Sequence, residues 1–249
     1  MKAAVIILIY LITFNFLPVQ DFLSEQKKYE RVRSSIKQKG NYLKKKLNEI
    51  GLLENNLNIL ITAYKDEDVL EVFAKTKQDV KYKLLAVYKI CTRSGVLGPK
   101  RCQGDLQVPE GFYHIDRFNP ASNFYLSLGI NYPNKSDLIL KTGNDPGGDI
   151  FIHGNCVTIG CIPVTDDKIK EIYLYAVYAK NCGQTKIPVY IFPFRMTDDN
   201  FKKHCESYSQ NKNLISFWSN LKIGFDLFEK EKRELKTIVN KQGIYSFKF

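Results

Sequence analysis

Between Leu57 and Ile90 the apolar residues come in short runs with charged breaks. Leu57–Tyr64, Val69–Ala74 and Val80–Ile90 are rich in Val, Leu, Ile and Tyr, and Lys65-Asp66-Glu67-Asp68 and Lys75–Asp79 interrupt them. Runs of this length and composition predict strands, with the breaks as hairpin turns. Phe112–Phe118, Phe124–Leu128, Asp149–His153, Cys161–Val164 and Ile187–Phe192 continue the strand series, after a Gly- and Pro-bearing loop at Cys91–Glu110. Elsewhere the period is helical. Within Ser24–Leu53, the residues Tyr29, Val32, Ile36, Leu43, Leu47 and Ile50 recur at three-, four- and seven-residue steps with lysines between them, and Gly40 is expected to split this helix in two. Thr165 is placed to cap a second helix, with Asp166 and Asp167 at its positive end and Ile169, Ile172, Tyr173, Ala176 and Val177 on one face. Asn181-Cys182-Gly183 ends it. From Met196 onward the chain reads as a helical tail whose Phe201, Leu214, Phe217, Trp218, Leu221 and Phe225 cover the sheet.

Closely spaced strands with few helices predict a mainly β architecture, a sandwich or barrel-like sheet with its site on loops. The expected boundaries are a targeting segment at 1–20, a helical segment at 21–56, a sheet domain at 57–195 and a helical C-terminal extension at 196–249.

The net charge of +11 narrows once it is located. Lys27–Lys46 holds nine Lys/Arg against Glu30 alone, so it supplies +8 and leaves +3 for the rest. A nucleic-acid footprint over the whole domain is therefore not expected. The basic helix either packs on the domain with its charges solvated or lies on anionic lipid or wall polymer. At the N-terminus, Lys2 precedes an uncharged run, Ala3–Val19, which reads as an export signal or a membrane anchor. Export, in turn, makes disulfides accessible to the six cysteines. By position Cys91 could pair with Cys102, and Cys182 with Cys205, leaving Cys156 free. Sequence alone leaves the connectivity open.

The chemistry concentrates in Ile152-His153-Gly154-Asn155-Cys156-Val157-Thr158-Ile159-Gly160-Cys161-Ile162-Pro163. A thiol attacks as thiolate, and an imidazole within reach is the usual means of generating one. Two strands joined by a polar loop could bring His153 to Cys161, with Gly160 allowing a tight turn and backbone N–H groups facing a developing oxyanion. His114 reads as a packed or surface histidine and His204 as an exposed one. A metal set of His153, Cys156 and Cys161 lacks the second cluster that zinc sites show. Tyr132, in the turn Asn131-Tyr132-Pro133-Asn134, either lines a substrate groove or packs the turn.

The segment resembles the L,D-transpeptidase catalytic domain of YkuD type, and within it the YafK-like branch with its short motif, here His153-Gly154 and Thr158-Ile159-Gly160-Cys161. Gly98-Pro99-Lys100, Gln107–Tyr113, Asn131–Asn134, Thr165–Tyr173 and Phe192–Thr197 follow in the family's order, so the likeness spans about Leu57 to Phe228. Two positions depart from the wider family: Ile159 stands where it has His, and Pro163 where it has Arg. The resemblance implies an exported, periplasmic cysteine enzyme that needs no cofactor and no metal. Cys161 would be the nucleophile, His153 the base, Gly154 and Gly160 the backbone around the oxyanion, and Thr158 and Tyr132 substrate contacts. The implied partners are peptidoglycan stem peptides and, where the acceptor is a protein, a wall-linked Lys. Alternatives are an amidase using the same site on diaminopimelate-linked amides and a non-catalytic wall-binding protein.

Overall fold

In the computed structural model, residues 21–249 are described; the expected targeting segment lies outside them. The chain begins with α1 (Phe22–Gln26) and α2 (Glu30–Glu49), then β1 (Asn58–Tyr64), β2 (Val69–Lys75), β3 (Lys83–Lys89), β4 (Gly111–Asn119) and β5 (Ser127–Ile130). There follow α3 (Lys135–Leu140), β6 (Phe151–His153), β7 (Ile162–Pro163), α4 (Asp166–Asn181) and β8 (Ile187–Phe192). The C-terminal part holds α5 (Asp198–Ser207), α6 (Lys212–Glu231), β9 (Lys236–Val239) and β10 (Tyr245–Lys248).

Eight strands form one mixed sheet in the order β3-β2-β1-β8-β4-β5-β6-β7. The β1–β8 and β6–β7 pairs are parallel and the others antiparallel. Period-two alternation divides the sheet into two cores. Ile59, Ile61 and Ala63 of β1, with Val189 and Ile191 of β8, join Ile172, Tyr173 and Val177 of α4 and Val32, Leu43 and Leu47 of α2. The intervening Leu60, Tyr64, Tyr190 and Phe192 join Trp218, Leu221, Phe225 and Phe228 of α6. The sheet-centred class, the N-terminal amphipathic helix and the helix after Cys161 are as expected. The layers over the two sheet faces are helical, because α4 and α6 supply apolar surface to opposite sides of a sheet that is hydrophobic on both.

One contact shapes the site. Cys91, just past β3, donates its N–H to the carbonyl of Pro163 in β7 at 3.0 Å. Since β3 and β7 are the two edges of the sheet, it curls at this end until its edges approach.

Three local expectations need correction. Gly40 does not split the long helix. It sits inside α2, and the break falls earlier, between Lys27, the C-cap of α1, and Tyr29, the N-cap of α2. The tail is not wholly helical, for β9 and β10 form a hairpin whose Tyr245 and Phe247 pack on Phe112. Strand β5 begins only at Ser127, because the chain before it is diverted. Arg31 takes the carbonyls of Ser122 and Tyr125, and Phe124 turns onto His153. The sequence reading also missed α3, which a capping box starts: Asn134 accepts from the Ser136 and Asp137 N–H groups, and Asp137 accepts from Asn134 N–H.

The basic α2 packs on α4. Lys39 reaches Asp167 at 2.7 Å and the buried Glu171 at 2.9 Å, while Arg33, Lys44 and Lys46 pair with Glu30, Glu54 and Glu49. With Lys28 paired to Glu25, five of the segment's nine basic residues are thus matched by an acid.

Candidate active site

His153 ends β6 and Cys161 lies immediately before β7. The register pairs Ile152 with Ile162 and His153 with Pro163, which sets Cys161 beside Phe151. Alternation then puts Phe151, His153, Cys161 and Pro163 on one face, with His153 and Cys161 diagonal neighbours on adjacent strands. The Phe151 N–H points at Cys161 Sγ at 3.4 Å, and the thiol faces the Asp149 carbonyl at 3.6 Å.

The imidazole is fixed on two sides. Its Nδ1 lies 2.5 Å from the Gly154 carbonyl, an acceptor only, so Nδ1 carries the proton and Nε2 keeps its lone pair. Phe124 packs against the ring with centroids 4.6 Å apart. His153 is 1% exposed, and this burial lowers its pKa from the ordinary value, partly opposed by the Gly154 bond. Burial raises the Cys161 pKa, with the Phe151 N–H acting in the other direction. Both shifts favour a neutral thiol beside a neutral imidazole over a preformed ion pair.

Two glycines are dictated by space. A Cβ on Gly154 would lie 2.9 Å from the Phe124 carbonyl and closer still to Asp166 Oδ1. Gly160 has φ +139°, and a Cβ there would meet the Gln107 carbonyl at 3.1 Å. Asp166, in the first turn of α4, accepts from Asn155 N–H at 2.8 Å and anchors the loop between the two strands.

Several expected roles change. The Gly160 N–H, a candidate oxyanion donor, is taken by Thr158 Oγ1 at 3.1 Å. The same hydroxyl donates to the Cys161 carbonyl at 2.9 Å, so the Thr158 hydroxyl is committed to holding the turn. Val164 N–H bonds the His153 carbonyl, and the Cys161 N–H makes no backbone hydrogen bond among the described residues. Tyr132 is buried, its hydroxyl donating to the Pro146 carbonyl at 2.9 Å, so it packs its turn and lines no groove. His114 sits half-buried on β4, three strands from β7. His204 is not exposed, for it stacks on Phe194 at 3.8 Å and lies 3.6 Å from Asp66.

The cysteine pairing expected from position is overturned. Cys91 is bonded to Cys156, with Cα atoms 5.6 Å apart, and Cys102, Cys161, Cys182 and Cys205 are free. The curl of the sheet brings Cys91 to the loop between His153 and Cys161, which position along the chain could not reveal. The bond also removes Cys156 as a metal ligand, and no cluster of three or more His, Cys, Asp or Glu able to hold a metal occurs among the described residues.

Cys161 opens on a pocket walled by Ala63, Ile90, Leu97, Val108, Ile162 and Ile191. The loop over it is held by a buried ion pair that sequence reasoning missed. Lys65 donates to the carbonyls of Gly98 (2.7 Å) and Val108 (2.9 Å) and to Glu110 at 2.8 Å. Glu110 accepts in turn from Gly98 N–H (2.7 Å) and from Trp218 Nε1 (2.9 Å). Lys65 had read as a turn residue. Its hint was a charge beside a strand end, which is common and unspecific.

The chain is 41% identical over 177 residues to the Escherichia coli K12 protein named "Putative L,D-transpeptidase YafK", covering 70% of this chain and 68% of that one. A solved structure, the helical cell shape determining protein Pgp2 of Campylobacter jejuni, aligns at TM-score 0.45 and 19% identity over 78% of this chain and 79% of that one. Bd1075 of Bdellovibrio bacteriovorus aligns at TM-score 0.39 and 20% identity, covering 76% of each chain. Residues 59–191 match the family model of the L,D-transpeptidase catalytic domain, YkuD, and with the YafK likeness this establishes that the chain belongs to that family.

Proposed function

We propose that this protein is an exported acyltransferase acting on peptidoglycan stem peptides through a thioester on Cys161. The observation that carries the proposal is the orientation of His153. With Nδ1 bound to the Gly154 carbonyl, Nε2 is free to accept a proton on the face shared with Cys161. In the proposed cycle Cys161 Sγ attacks the carbonyl at the L-centre of a diaminopimelate-type residue while Nε2 takes the thiol proton. The Cys161 N–H is the backbone donor proposed to stabilise the oxyanion. Collapse breaks the amide, the leaving amine takes the proton from Nε2, and an acyl-thioester remains. An incoming amine gives a cross-link or a protein anchor; water gives hydrolysis.

Two residues favour hydrolysis as a competing outcome. Ile159 is 79% exposed and offers no polar group, and Pro163 brings neither a cation nor a backbone donor. An acceptor amine therefore has fewer groups to hold it against water.

The test incubates the purified chain with a tetrapeptide stem and a tripeptide–Lys amide together, separates products by mass and measures the intact protein for an acyl adduct. Hydrolysis of the amide, with or without a 3–3 dimer, is expected. Dimer without hydrolysis would leave plain transpeptidation. Absence of both products and of an adduct would overturn the assignment.

A further inference from the structure

The chain before β5 follows a path that its own residues disfavour. Tyr125 has φ +71°, a left-handed backbone that a bulky side chain rarely adopts and that persists only where the surroundings hold it. Those surroundings are cationic. Arg31, half-buried on α2, donates from Nη1 to the carbonyl of Ser122 and, at 2.6 Å, to that of Tyr125 itself. Its guanidinium carbon lies 5.4 Å from the centre of the Tyr125 ring, and Lys170 Nζ of α4 lies 5.2 Å from the same ring. Charge-assisted bonds to two carbonyls of one short segment can offset strain of this kind. The result is the placement of Phe124 on the imidazole of His153, with ring centroids 4.6 Å apart and planes inclined by 31°. Phe124 gains little burial there, being 39% exposed, whereas His153 beneath it is 1% exposed. The same segment is tied to the residue after His153, because the Leu126 carbonyl accepts from Gly154 N–H at 3.2 Å.

We infer that Arg31 is a positioning residue for His153: by holding the Ser122–Tyr125 backbone in its strained path, it keeps Phe124 packed on the imidazole. The imidazole is then confined between the Phe124 ring and the Gly154 carbonyl, with Nε2 left for the thiol proton. Without Arg31 the backbone at Tyr125 relaxes, Phe124 leaves the ring, and the imidazole can turn and meet water. Burial is the first cause of the lowered His153 pKa, so that exposure would raise it. Arg31 lies outside residues 59–191, so the basic N-terminal helix contributes to the site from beyond the region that matches the family model. Its role rests on the proposed reading of His153 and Cys161 as base and nucleophile, and it adds to that pair a residue more than ninety positions away in sequence from the loop it holds.

A double-mutant cycle on the full chain tests this, with Arg31→Met, which keeps an apolar stem and removes the donors, and Phe124→Ala, which removes the ring. Two quantities are read: kcat and KM on a stem peptide, and the titration of the His153 ring by NMR, which is practicable in a chain with three histidines. Each single substitution should lower kcat about ten- to a hundredfold while KM stays within about twofold, as expected of a misplaced base. Each should also raise the His153 pKa toward the ordinary value of about 6.5 and leave His114 and His204 unmoved. The double variant should be no worse than either single one. Tyr125→Gly should restore the Arg31→Met chain, because glycine takes φ +71° without strain, and Arg31→Lys should keep most of the activity. Thermal melting checks folding, and Arg31→Gln, which keeps a neutral donor, replaces Arg31→Met in the cycle if that chain does not fold. Losses that multiply in the double variant, or a His153 titration unmoved in the folded single variants, would overturn the inference. The titration needs no substrate, so a parent chain that turns over no stem peptide would refute the proposed function while the NMR result still decides the role of Arg31.

Discussion

The Lys65–Glu110 pair offers the sharpest test of how the pocket loop is held. Glu110 is fully buried and Lys65 nearly so, and between them they fix the Gly98 N–H and carbonyl, the Val108 carbonyl and the Trp218 indole. Glu110→Gln keeps the shape and removes the charge. A buried ammonium then faces only two carbonyls and an amide, and breaking a buried pair from one side costs about 3–5 kcal/mol. Against a total stability of about 5–15 kcal/mol that loss is large. The pH dependence gives the reasoning its signature. Burial already lowers the Lys65 pKa, with Glu110 opposing, and removing Glu110 lowers it further. In the unfolded chain the lysine keeps its proton up to about pH 10.4. Above the depressed folded pKa the unfolded state therefore binds more protons, and the variant's stability must rise with pH toward that value. Urea unfolding of parent and variant at several pH values between 6 and 10 measures the difference. It should be greatest at the acid end and shrink as pH rises. A loss under about 1 kcal/mol that is flat across the range would show that the pair does not hold the loop.

Cys161→Ala should abolish turnover while leaving circular dichroism unchanged, and a global loss of dichroism would make the thiol structural. Because burial raises the Cys161 pKa and lowers that of His153, alkylation of the free enzyme by iodoacetamide should be slow at neutral pH and accelerate above pH 9; a fast plateau at pH 6–7 would reveal a preformed ion pair. Thr158→Val removes the hydroxyl that joins Gly160 N–H to the Cys161 carbonyl and should lower kcat by about tenfold with little change in KM, since one hydrogen bond of about 1–1.5 kcal/mol holds the turn; unchanged kcat would release Thr158 from that role. Replacing Cys91 and Cys156 together by Ser frees a 65-residue separation, for which chain entropy gives about 4 kcal/mol as an upper value; equal urea midpoints for parent and variant, with equal turnover, would mean the bond neither braces the fold nor shapes the loop.

What the sequence revealed followed from periodicities that are local. The β1, β2, β8 and α4 segments and the Thr165 cap are legible because alternation, helical steps and capping chemistry act over a few residues. The β9–β10 hairpin escaped because it is short and its apolar positions, Tyr245 and Phe247, follow a tail dominated by helical spacing. At the site, the close spacing of His153, Gly160 and Cys161 made the motif visible. Its supports were invisible for the opposite reason. Thr158 was read as facing substrate from its place in the motif, and Tyr132 as either lining a groove or packing its turn, whereas the hydroxyls of both are bonded to carbonyls.

The same argument explains the disulfide. Pairing Cys91 with Cys102 assumed that cysteines flanking a loop meet across it. In the fold, Asp105 takes the N–H groups of Arg101 and Cys102, so the chain around Cys102 is folded on itself. Cys91 instead follows β3 to the far edge of a curled sheet and meets the loop between His153 and Cys161. Three long-range devices therefore converge on the segment from Cys91 to Glu110: the disulfide, the Cys91–Pro163 hydrogen bond and the Lys65–Glu110–Trp218 network. Each ties the pocket wall to a different part of the fold, namely the loop between His153 and Cys161, the β7 edge, and the end of β1 together with α6. A wall braced in this way holds Arg93, Ser94, Leu97 and Val108 in a fixed relation to Cys161, as a preorganised pocket beside a reactive group requires.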